Sequence, residues 1–243
     1  MPQTVFITGG SSGIGAGLAK AFHKRGAKVI IGGRSLDGLA MVARDCGGME
    51  CVEIDVAVAD SVRACAAAMA VQYPQLDMVI NNAGIQRLID FTEPHADAAT
   101  SEEIDTNLKG TIAVTQAFLP LLRRQTAAVL VNVSSALAFA PLAKAPIYCA
   151  TKAAVHSFTM SLREQLKNTN VRIVELIPPL VETNLHRGQP RGNRSGMPLD
   201  AFVEASMKGL DSGREELLIG GALALRIASR IAPKFIFSKI NSH

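Results

Sequence analysis

Tyr148 and Lys152 have the types and spacing of an acid/base pair. They stand four residues apart, in Tyr148-Cys-Ala-Thr-Lys152, at the start of a stretch with helical periodicity. On a helix, this spacing places both side chains on one face, one turn apart. A free tyrosine has a pKa of about 10, and a neighbouring ammonium favours the phenolate and lowers that pKa. We therefore expect Lys152 to make the Tyr148 hydroxyl competent for proton transfer near neutral pH.

Two further polar positions could assist that chemistry. Ser134-Ser135 follows the predicted strand Ala128–Asn132, where a hydroxyl would point into a crevice and could orient a carbonyl oxygen. The alternative is a pair of ordinary turn serines. Asn107, in Asp105-Thr-Asn-Leu-Lys-Gly110, interrupts an otherwise apolar helical stretch. Taken alone, its polarity favours a place at the surface.

A glycine-rich segment indicates a cofactor site. The predicted strand Val5–Thr8 runs into Gly9-Gly10-Ser11-Ser12-Gly13-Ile14-Gly15, and a helical pattern follows at once. Positions without side chains let the backbone turn tightly and approach a pyrophosphate, whose charge is stabilised at a helix N-terminus. The spacing is G-x-x-x-G-x-G, and its place between a strand and a helix favours a dinucleotide site.

The end of the second predicted strand bears on the choice of cofactor. An NAD site would place Asp or Glu there to bind the ribose hydroxyls, whereas this chain has Gly32-Gly33-Arg34-Ser35. Arg34 could clamp the 2′-phosphate of NADP bidentately. A solvent-facing arginine at the strand end is the alternative. NADP(H) is favoured over NAD(H).

Short β-branched segments alternate with longer helical ones along nearly the whole chain. The predicted strands are Val5–Thr8, Lys28–Ile31, Cys51–Asp55, Met78–Asn81, Ala128–Asn132, Val171–Val174 and Glu216–Ile219. Helices are predicted near 13–25, 36–45, 59–72, 99–124, 148–168 and 200–210, and from about 222. This alternation predicts an α/β Rossmann fold, a doubly wound seven-stranded parallel sheet with helices on both faces, as a single domain over 1–243.

Two segments depart from the alternation. Residues 181–198, rich in Gly, Pro, Arg and Asn, follow a strand end and are predicted to form a lid over the ligand cleft. A solvated surface insertion is the alternative. Residues 222–243 form a basic, amphipathic segment without acidic residues. We favour packing of its apolar side on the domain or a sister subunit over contact with an anionic membrane.

Composition limits the class of protein. The 243 residues are 48% hydrophobic and 19% charged, which predicts a large core and excludes disorder. The net charge of +4, whose whole excess lies beyond Leu185, is too small to indicate nucleic-acid binding. The four cysteines lack metal-ligand spacing, so we expect neither a metal nor disulfides. We expect neither a signal peptide nor a membrane span, and therefore a cytoplasmic protein.

Four motifs, in this order, resemble the short-chain dehydrogenase/reductase family over essentially the whole chain. They are Thr8-Gly9-x-x-x-Gly13-Ile14-Gly15, Asn81-Asn82-Ala83-Gly84, Asn132-Val-Ser-Ser135 and Tyr148-x-x-x-Lys152. Three segments resemble a branch associated with bacterial D-alanylation (Dlt) operons: Asn81-Asn-Ala-Gly-Ile-Gln-Arg87, Leu137-Ala-Phe-Ala-Pro141 and Ile177-Pro-Pro179. The chain departs from many members at Pro179 and Ala138, where those members have glycine, and both departures affect the shape of the substrate cleft.

The resemblance implies roles for single residues. Tyr148 would be the general acid/base, Lys152 its pKa partner and a nicotinamide-ribose ligand, and Ser135 the substrate-orienting serine. Asn107 would hold a water that links Lys152 to solvent. The cofactor-binding residues expected from the motifs and the resemblance are Gly9, Ser11, Ser12, Gly13, Ile14, Gly15, Arg34, Asp55, Val56, Asn82, Ala83, Gly84, Tyr148, Lys152, Pro178 and Thr183. Relatives pair the helices that match 99–124 and 148–168, which implies a homodimer or homotetramer.

The sequence thus predicts an NADP(H)-dependent oxidoreductase that transfers hydride reversibly between its cofactor and a small-molecule carbonyl or secondary alcohol. A non-catalytic NADP-binding redox sensor that acts through a protein partner is the alternative, which the full set of acid/base residues disfavours. The cues to the substrate point in opposite directions. An apolar cleft wall is suggested by Leu137, Phe139, Leu142 and Ile147, whereas an anionic group could be attracted by Arg187, Arg191 and Arg194.

Overall fold

One parallel sheet of seven strands forms the centre of the molecule, in a computed structural model that describes residues 3–92, 97–183, 185 and 196–242. Its strands are β1 (Thr4–Thr8), β2 (Lys28–Gly33), β3 (Glu50–Glu53), β4 (Met78–Asn81), β5 (Ala128–Val133), β6 (Val171–Ile177) and β7 (Glu216–Leu218). Their order across the sheet is β3-β2-β1-β4-β5-β6-β7. The predicted Rossmann fold is confirmed.

Helices cover both faces of this sheet. They are α1 (Gly13–Lys24), α2 (Leu36–Arg44), α3 (Ala59–Gln72), α4 (Asp97–Ile104), α5 (Gly110–Leu122), α6 (Pro146–Leu166), α7 (Leu199–Asp211), α8 (Ala222–Ile231) and α9 (Pro233–Asn241). Strand β1 shows why both faces must be covered. Val5 and Ile7 belong to the core under α1 and α7, whereas Phe6, between them, belongs to the core under α3 and α5. Side chains alternate between the faces of a strand, so a wholly apolar strand needs packing on both sides.

The order of the strands creates the crevice that a ligand needs. Strand β1 pairs with β2 on one side and with β4 on the other, so the chain winds away from β1 in opposite directions. At such a switch point the crossover connections diverge and leave a gap at the carboxyl ends of the strands. The glycine-rich segment follows β1 and Asn82 follows β4, which places both at the edge of this gap.

The predicted helix over 99–124 is interrupted in the structure. Helix α4 ends at Ile104, a π-helical turn occupies Asp105–Lys109, and α5 begins at Gly110. A Cβ at Gly110 would lie 2.9 Å from a Val56 side-chain carbon and 3.0 Å from the Val56 carbonyl oxygen. This close approach is a tertiary constraint that helical periodicity does not reveal.

The predicted C-terminal helix is two helices, α8 and α9, divided at Ala232. Pro233 begins α9, where its fixed backbone angle suits the first helical turn but its missing N–H ends the preceding helix. Ala222 and Leu225 pack on the domain. Ile227, Ile231 and Phe235 are at least half exposed, so this part of the apolar side does not pack on the domain, and its packing on a sister subunit stays a prediction. None of the helices among the described residues has the length and apolarity that crossing a bilayer requires.

Candidate active site

The loop between β1 and α1 has the backbone conformations that its glycines predict. Gly9 and Gly13 have φ of 68° and 54°, in the left-handed region that side chains disfavour. A Cβ at Gly15 would lie 2.3 Å from the Gly9 carbonyl oxygen, so no larger residue fits there. Ser12 precedes α1 and its side chain makes no capping hydrogen bond. The first N–H groups of α1 are thus suited to receive an anion.

We expect Gly15→Ala to weaken binding of a dinucleotide cofactor about 10- to 100-fold, since overpacking typically costs about 1–3 kcal/mol and would displace the loop. Calorimetric titration with NADPH would measure the change. Gly221→Ala is the matched control, because a Cβ there meets no atom within 4 Å. Unchanged affinity in Gly15→Ala would contradict a role of this loop in cofactor binding.

Two side chains hold the glycine loop against the end of β4. The Asn82 side-chain amide donates to the carbonyl oxygens of Thr8 (2.9 Å) and Gly9 (3.1 Å). In return, the Thr8 hydroxyl accepts from the backbone N–H groups of Asn82 and Ala83, each at 3.1 Å. Asn82 therefore stabilises the conformation of the glycine loop. Thr8 is not among the residues predicted for the site, and its sequence signal is a hydroxyl residue at the strand end directly before the glycines.

At the far edge of the crevice lie the residues expected to face the adenosine half of a cofactor. Arg34 follows β2, its side chain is half exposed, and Nη1 lies 3.8 Å from a Glu102 carboxylate oxygen. Asp55 lies beyond β3, which ends two residues earlier than predicted. The Asp55 carboxylate accepts from the Ala57 N–H at 2.9 Å, a local bond that competes with strand pairing. Val56 is buried beside it.

Ser135, Tyr148 and Lys152 meet at the carboxyl end of β5. Their exposed fractions are 7%, 6% and 5%. Pro146 begins α6, so Tyr148 lies in its first turn and Lys152 one turn further along the same face. The Lys152 Nζ donates to the Val133 carbonyl oxygen at 2.8 Å and lies 5.7 Å from the centre of the Tyr148 ring. The structure thus brings together Ser135, Tyr148 and Lys152, three residues expected to be catalytic.

Burial controls the protonation of this group. It raises the pKa of Tyr148, and the side-chain hydrogen bond with Ser135 opposes that rise only in part. It also lowers the pKa of Lys152 to about 8, partly offset by the negative charge of Glu175. The direction at Tyr148 is opposite to the lowering that we expected from the spacing alone, because desolvation of the phenolate dominates and the Lys152 ammonium is directed to Val133. Tyr148 is therefore protonated at neutral pH.

The two adjacent serines have different partners. Ser134 donates to Glu175, which is fully buried on β6, and the Glu175 carboxylate also contacts His156 Nδ1 at 2.8 Å. Ser135 instead accepts from the Leu137 N–H at 3.1 Å and faces Tyr148. The Ser134–Glu175–His156 network escaped the sequence analysis. Its signal was a glutamate directly after the apolar pair Ile173-Val174 and before Leu176-Ile177 in the strand Val171–Ile177.

Asn107 is fully buried, so the surface position that its polarity alone suggested is wrong. It lies in the π-helical turn, where Oδ1 accepts from the Ile85 N–H at 2.8 Å and Nδ2 donates to the Ile85 carbonyl oxygen at 2.9 Å. Nδ2 also donates to the Thr151 hydroxyl on α6 at 3.2 Å. The amide replaces the strand partner that the backbone of Ile85 lacks beyond β4. Asn107 therefore fixes the strand end next to Lys152.

The residues after β6 close the crevice from the other side. Pro178 and Thr183 line it, and a Cβ at Gly13 would lie 3.3 Å from the Thr183 Cβ, which places Thr183 beside the glycine loop. Val181 forms an isolated bridge with Met197. Of the predicted lid over 181–198, residue 184 and residues 186–195 lie outside the described residues.

A continuous cavity of about 1450 Å³ joins these parts. All the residues expected at the site line it except Gly15 and Asn107, which lie behind its wall. Leu137 and Leu142 line it as expected, but Phe139 and Ile147 do not. Phe139 packs edge-on against His156 with ring centres 5.0 Å apart. The volume exceeds the roughly 300–1,000 Å³ of most ligand pockets, so a dinucleotide and a second molecule can share it.

Comparison with known proteins gives the family of this chain. The model of the family described as short chain dehydrogenase matches residues 3–193. The chain belongs to the short-chain dehydrogenase family. The protein is thus an NAD(P)-dependent oxidoreductase of the dehydrogenase/reductase type.

Similar proteins within the short-chain dehydrogenase family support this assignment. The chain is 37% identical to the uncharacterized oxidoreductase DltE of Bacillus subtilis (strain 168), over 99% of this chain and 97% of that protein, which confirms the predicted branch. A short-chain dehydrogenase from Burkholderia cenocepacia J2315, solved with NADP, is 27% identical with a TM-score of 0.85, over 98% of this chain and 96% of that one. A 3-ketoacyl-(acyl-carrier-protein) reductase from Brucella melitensis, complexed with NADH, is 29% identical with a TM-score of 0.76, over 84% and 89%.

Proposed function

We propose that this short-chain dehydrogenase is an NADP(H)-dependent oxidoreductase that interconverts a carbonyl and a secondary alcohol, with Tyr148 as the general acid/base. The observation that carries the proposal is the buried group of Ser135, Tyr148 and Lys152, which lines the same cavity as the glycine loop. A proton donor and a cofactor site that share one cavity can act on the same substrate carbon and oxygen.

The residues present fit a nicotinamide dinucleotide. The glycine loop is closely packed, since a Cβ at Gly9 or Gly15 would lie within 3 Å of backbone atoms, and Ser12 and Gly13 at the start of α1 line the cavity. A pyrophosphate placed there would meet backbone donors and the positive end of a helix. When bound, NADP(H) supplies or accepts the hydride.

The protein's own residues supply orientation and the proton. In the direction of reduction, the Tyr148 hydroxyl donates its proton to the substrate oxygen, and its raised pKa keeps that proton in place at neutral pH. Ser135 holds the same oxygen in line. Lys152, held by Val133, lies 3.5 Å from the position of a Cβ on Gly84 and so faces the cavity beside Tyr148. The burial of all three residues limits the access of bulk water to the proton that is transferred.

The preference for NADP(H) rests on Arg34. Arg34 directly follows β2, and its half-exposed guanidinium lines the cavity. An arginine in this place can bind the 2′-phosphate in a bidentate contact. Arg34 has Glu102 at 3.8 Å, and Glu102 lies closer to Arg87, at 2.6 Å. The stronger pairing of Glu102 with Arg87 leaves the Arg34 guanidinium available to an anion.

We expect Arg34→Ala to raise the KM for NADPH about 10- to 100-fold, since hydrogen bonds to charged groups contribute about 1.5–3 kcal/mol. The KM for NADH should change little, because NADH lacks the 2′-phosphate. Steady-state kinetics with both cofactors would measure this, with Arg44→Ala, an exposed arginine on α2, as the control. Equal effects on NADPH and NADH would refute the role of Arg34.

The proposed function itself is tested by measuring NADPH and NADH oxidation by the purified protein over a panel of aldehydes, ketones and quinones. We expect turnover that prefers NADPH. Tight NADPH binding without turnover on any carbonyl would contradict the catalytic proposal and favour the redox-sensor alternative.

A further inference from the structure

The cavity continues past Ser135 and Tyr148 to the opposite edge of the sheet from Arg34. There, beyond β7, its wall consists of the C-terminal helices and the segment that follows Ser135. The side chains of this wall are apolar: Leu137, Leu142, Leu225, Ala228, Ile236 and Ile240. An aliphatic chain is the ligand that gains most from such a surface, because it has no polar groups to desolvate.

Helices α8 and α9 are held in place over this part of the cavity. Leu225 packs with Ala136 in the turn that follows Ser135. Arg226 pairs with Glu216 on β7 and lies 5.4 Å from the centre of the Phe139 ring. These contacts tie α8 to β7 and to the turn that follows Ser135, so α8 forms a fixed wall.

The end of α9 is fastened to the loop that leads into α6. Asn241 accepts from the Ala143 N–H at 2.6 Å and donates to the Pro141 carbonyl oxygen at 3.2 Å. Lys144 follows in that loop, and Lys239 lies two residues before Asn241 on α9. Asn241 therefore joins the two segments that carry these lysines.

Lys144 and Lys239 both line the cavity and are exposed, which places them at its mouth. Among the described residues, neither belongs to any of the ion pairs of the structure. The acidic residue among the described residues of the cavity wall is Asp55, which lies at the Arg34 edge of the sheet. The mouth beside α9 therefore combines an apolar wall with two lysines that form no ion pair with a described carboxylate.

We propose that the substrate is an elongated aliphatic carbonyl or alcohol that carries an anionic group at the end remote from the reacting carbon. The reacting carbon lies at Tyr148, the aliphatic chain lies against α8 and α9, and the carboxylate or phosphate meets Lys144 and Lys239. This inference rests on the proposed function, since it uses Tyr148 to define the reacting end.

The test uses a homologous series of methyl ketones that bear a terminal carboxylate, with their methyl esters and the corresponding terminal phosphates. We expect kcat/KM for NADPH-dependent reduction to rise about fourfold per added methylene until the cavity is spanned. At the best length, the carboxylates or the phosphates should exceed the neutral esters about 5- to 30-fold, as two partly exposed ion pairs allow. The comparison of carboxylates with phosphates identifies the anionic group.

Variants of Lys144 and Lys239 test whether these lysines cause the preference. The double variant Lys144→Met, Lys239→Met should abolish the preference for the anionic series, measured as the ratio of kcat/KM for each acid to kcat/KM for its ester. Lys234→Met is the matched control, because Lys234 lies on the same helix outside the cavity wall, and it should keep the preference. Reduction that is independent of chain length and charge would overturn this inference while leaving the proposed function intact.

A binding measurement separates this inference from the proposed function. Calorimetric titration of decanoate into the NADP-loaded protein requires no turnover, and we expect the double lysine variant to weaken that binding about 5- to 30-fold. Lysine-dependent binding of decanoate without reduction of any ketone would support the substrate class and contradict the hydride-transfer proposal. Absence of lysine-dependent binding would overturn the substrate class.

Discussion

We expect Tyr148→Phe to lower kcat for carbonyl reduction by about 10²- to 10⁴-fold, the range that a positioned general acid contributes, while NADPH affinity stays nearly unchanged. Phenylalanine keeps the ring that packs with Ala145 and Cys149, so the fold of the α6 N-terminus persists. Only the hydroxyl is lost, and with it the proton for the substrate oxygen. Steady-state kinetics and a parallel NADPH titration would measure the two effects separately.

Tyr73→Phe is the matched control for this variant. Tyr73 is the other of the two tyrosines in the chain, is also buried, and packs in the core away from the cavity wall. Its variant should retain full activity. Normal turnover by Tyr148→Phe would refute the acid/base assignment, and a loss in both variants would point to a disturbed fold.

The pH dependence of stability should carry a contribution from Glu103. This side chain is fully buried next to the π-helical turn, where one oxygen accepts from the Arg87 N–H at 2.7 Å and the other has no hydrogen-bond partner among the described residues. Burial raises its pKa from 4.5 to about 7 and outweighs the attraction of Arg87, and Glu102 adds to the rise. Its negative charge also reaches Tyr148 and Cys149 on α6, whose pKa values it raises further.

The sign of this contribution follows from where the proton is bound. Between pH 4.5 and about 7 the carboxyl is protonated in the folded protein but ionised in the unfolded chain. The protonated carboxyl therefore contributes its full stability below pH 4.5, the pKa of the unfolded chain. This contribution is lost as the pH rises through about 7, the pKa of the folded protein. We expect wild type to lose about 3 kcal/mol of unfolding free energy relative to Glu103→Gln across this range. Urea unfolding of both proteins at several pH values would measure the difference.

Glu164→Gln is the control for the Glu103 experiment, because Glu164 is an exposed glutamate on α6 that pairs with Lys167. It should keep the pH dependence of wild type. If Glu103→Gln followed the same curve as wild type, Glu103 would have to be ionised throughout, and the burial argument would be wrong.

The sequence alone determined the alternation of strands and helices, the glycine loop and the Tyr148–Lys152 spacing. These features are local: side-chain periodicity, a backbone angle that needs glycine, and two positions one helical turn apart are all properties of neighbouring residues. The structure confirmed the fold class but divided two of the predicted helices, and it brought Ser135 to Tyr148 because the turn that follows β5 packs on α6.

Only the tertiary structure decided the environment of those residues. Asn107 is buried because the backbone of Ile85, distant in sequence, needs its amide. Lys152 is directed to Val133, and the pKa of Tyr148 rises through burial, since both depend on what surrounds α6. The sequence of the C-terminal segment predicts a basic amphipathic tail. In the structure, hydrogen bonds of Asn241 to the loop before α6 hold this segment at the mouth of the cavity. Packing between segments that are distant in sequence determines which side chains are buried and which hydrogen-bond partners they have. Local sequence patterns do not predict which of these segments will be in contact.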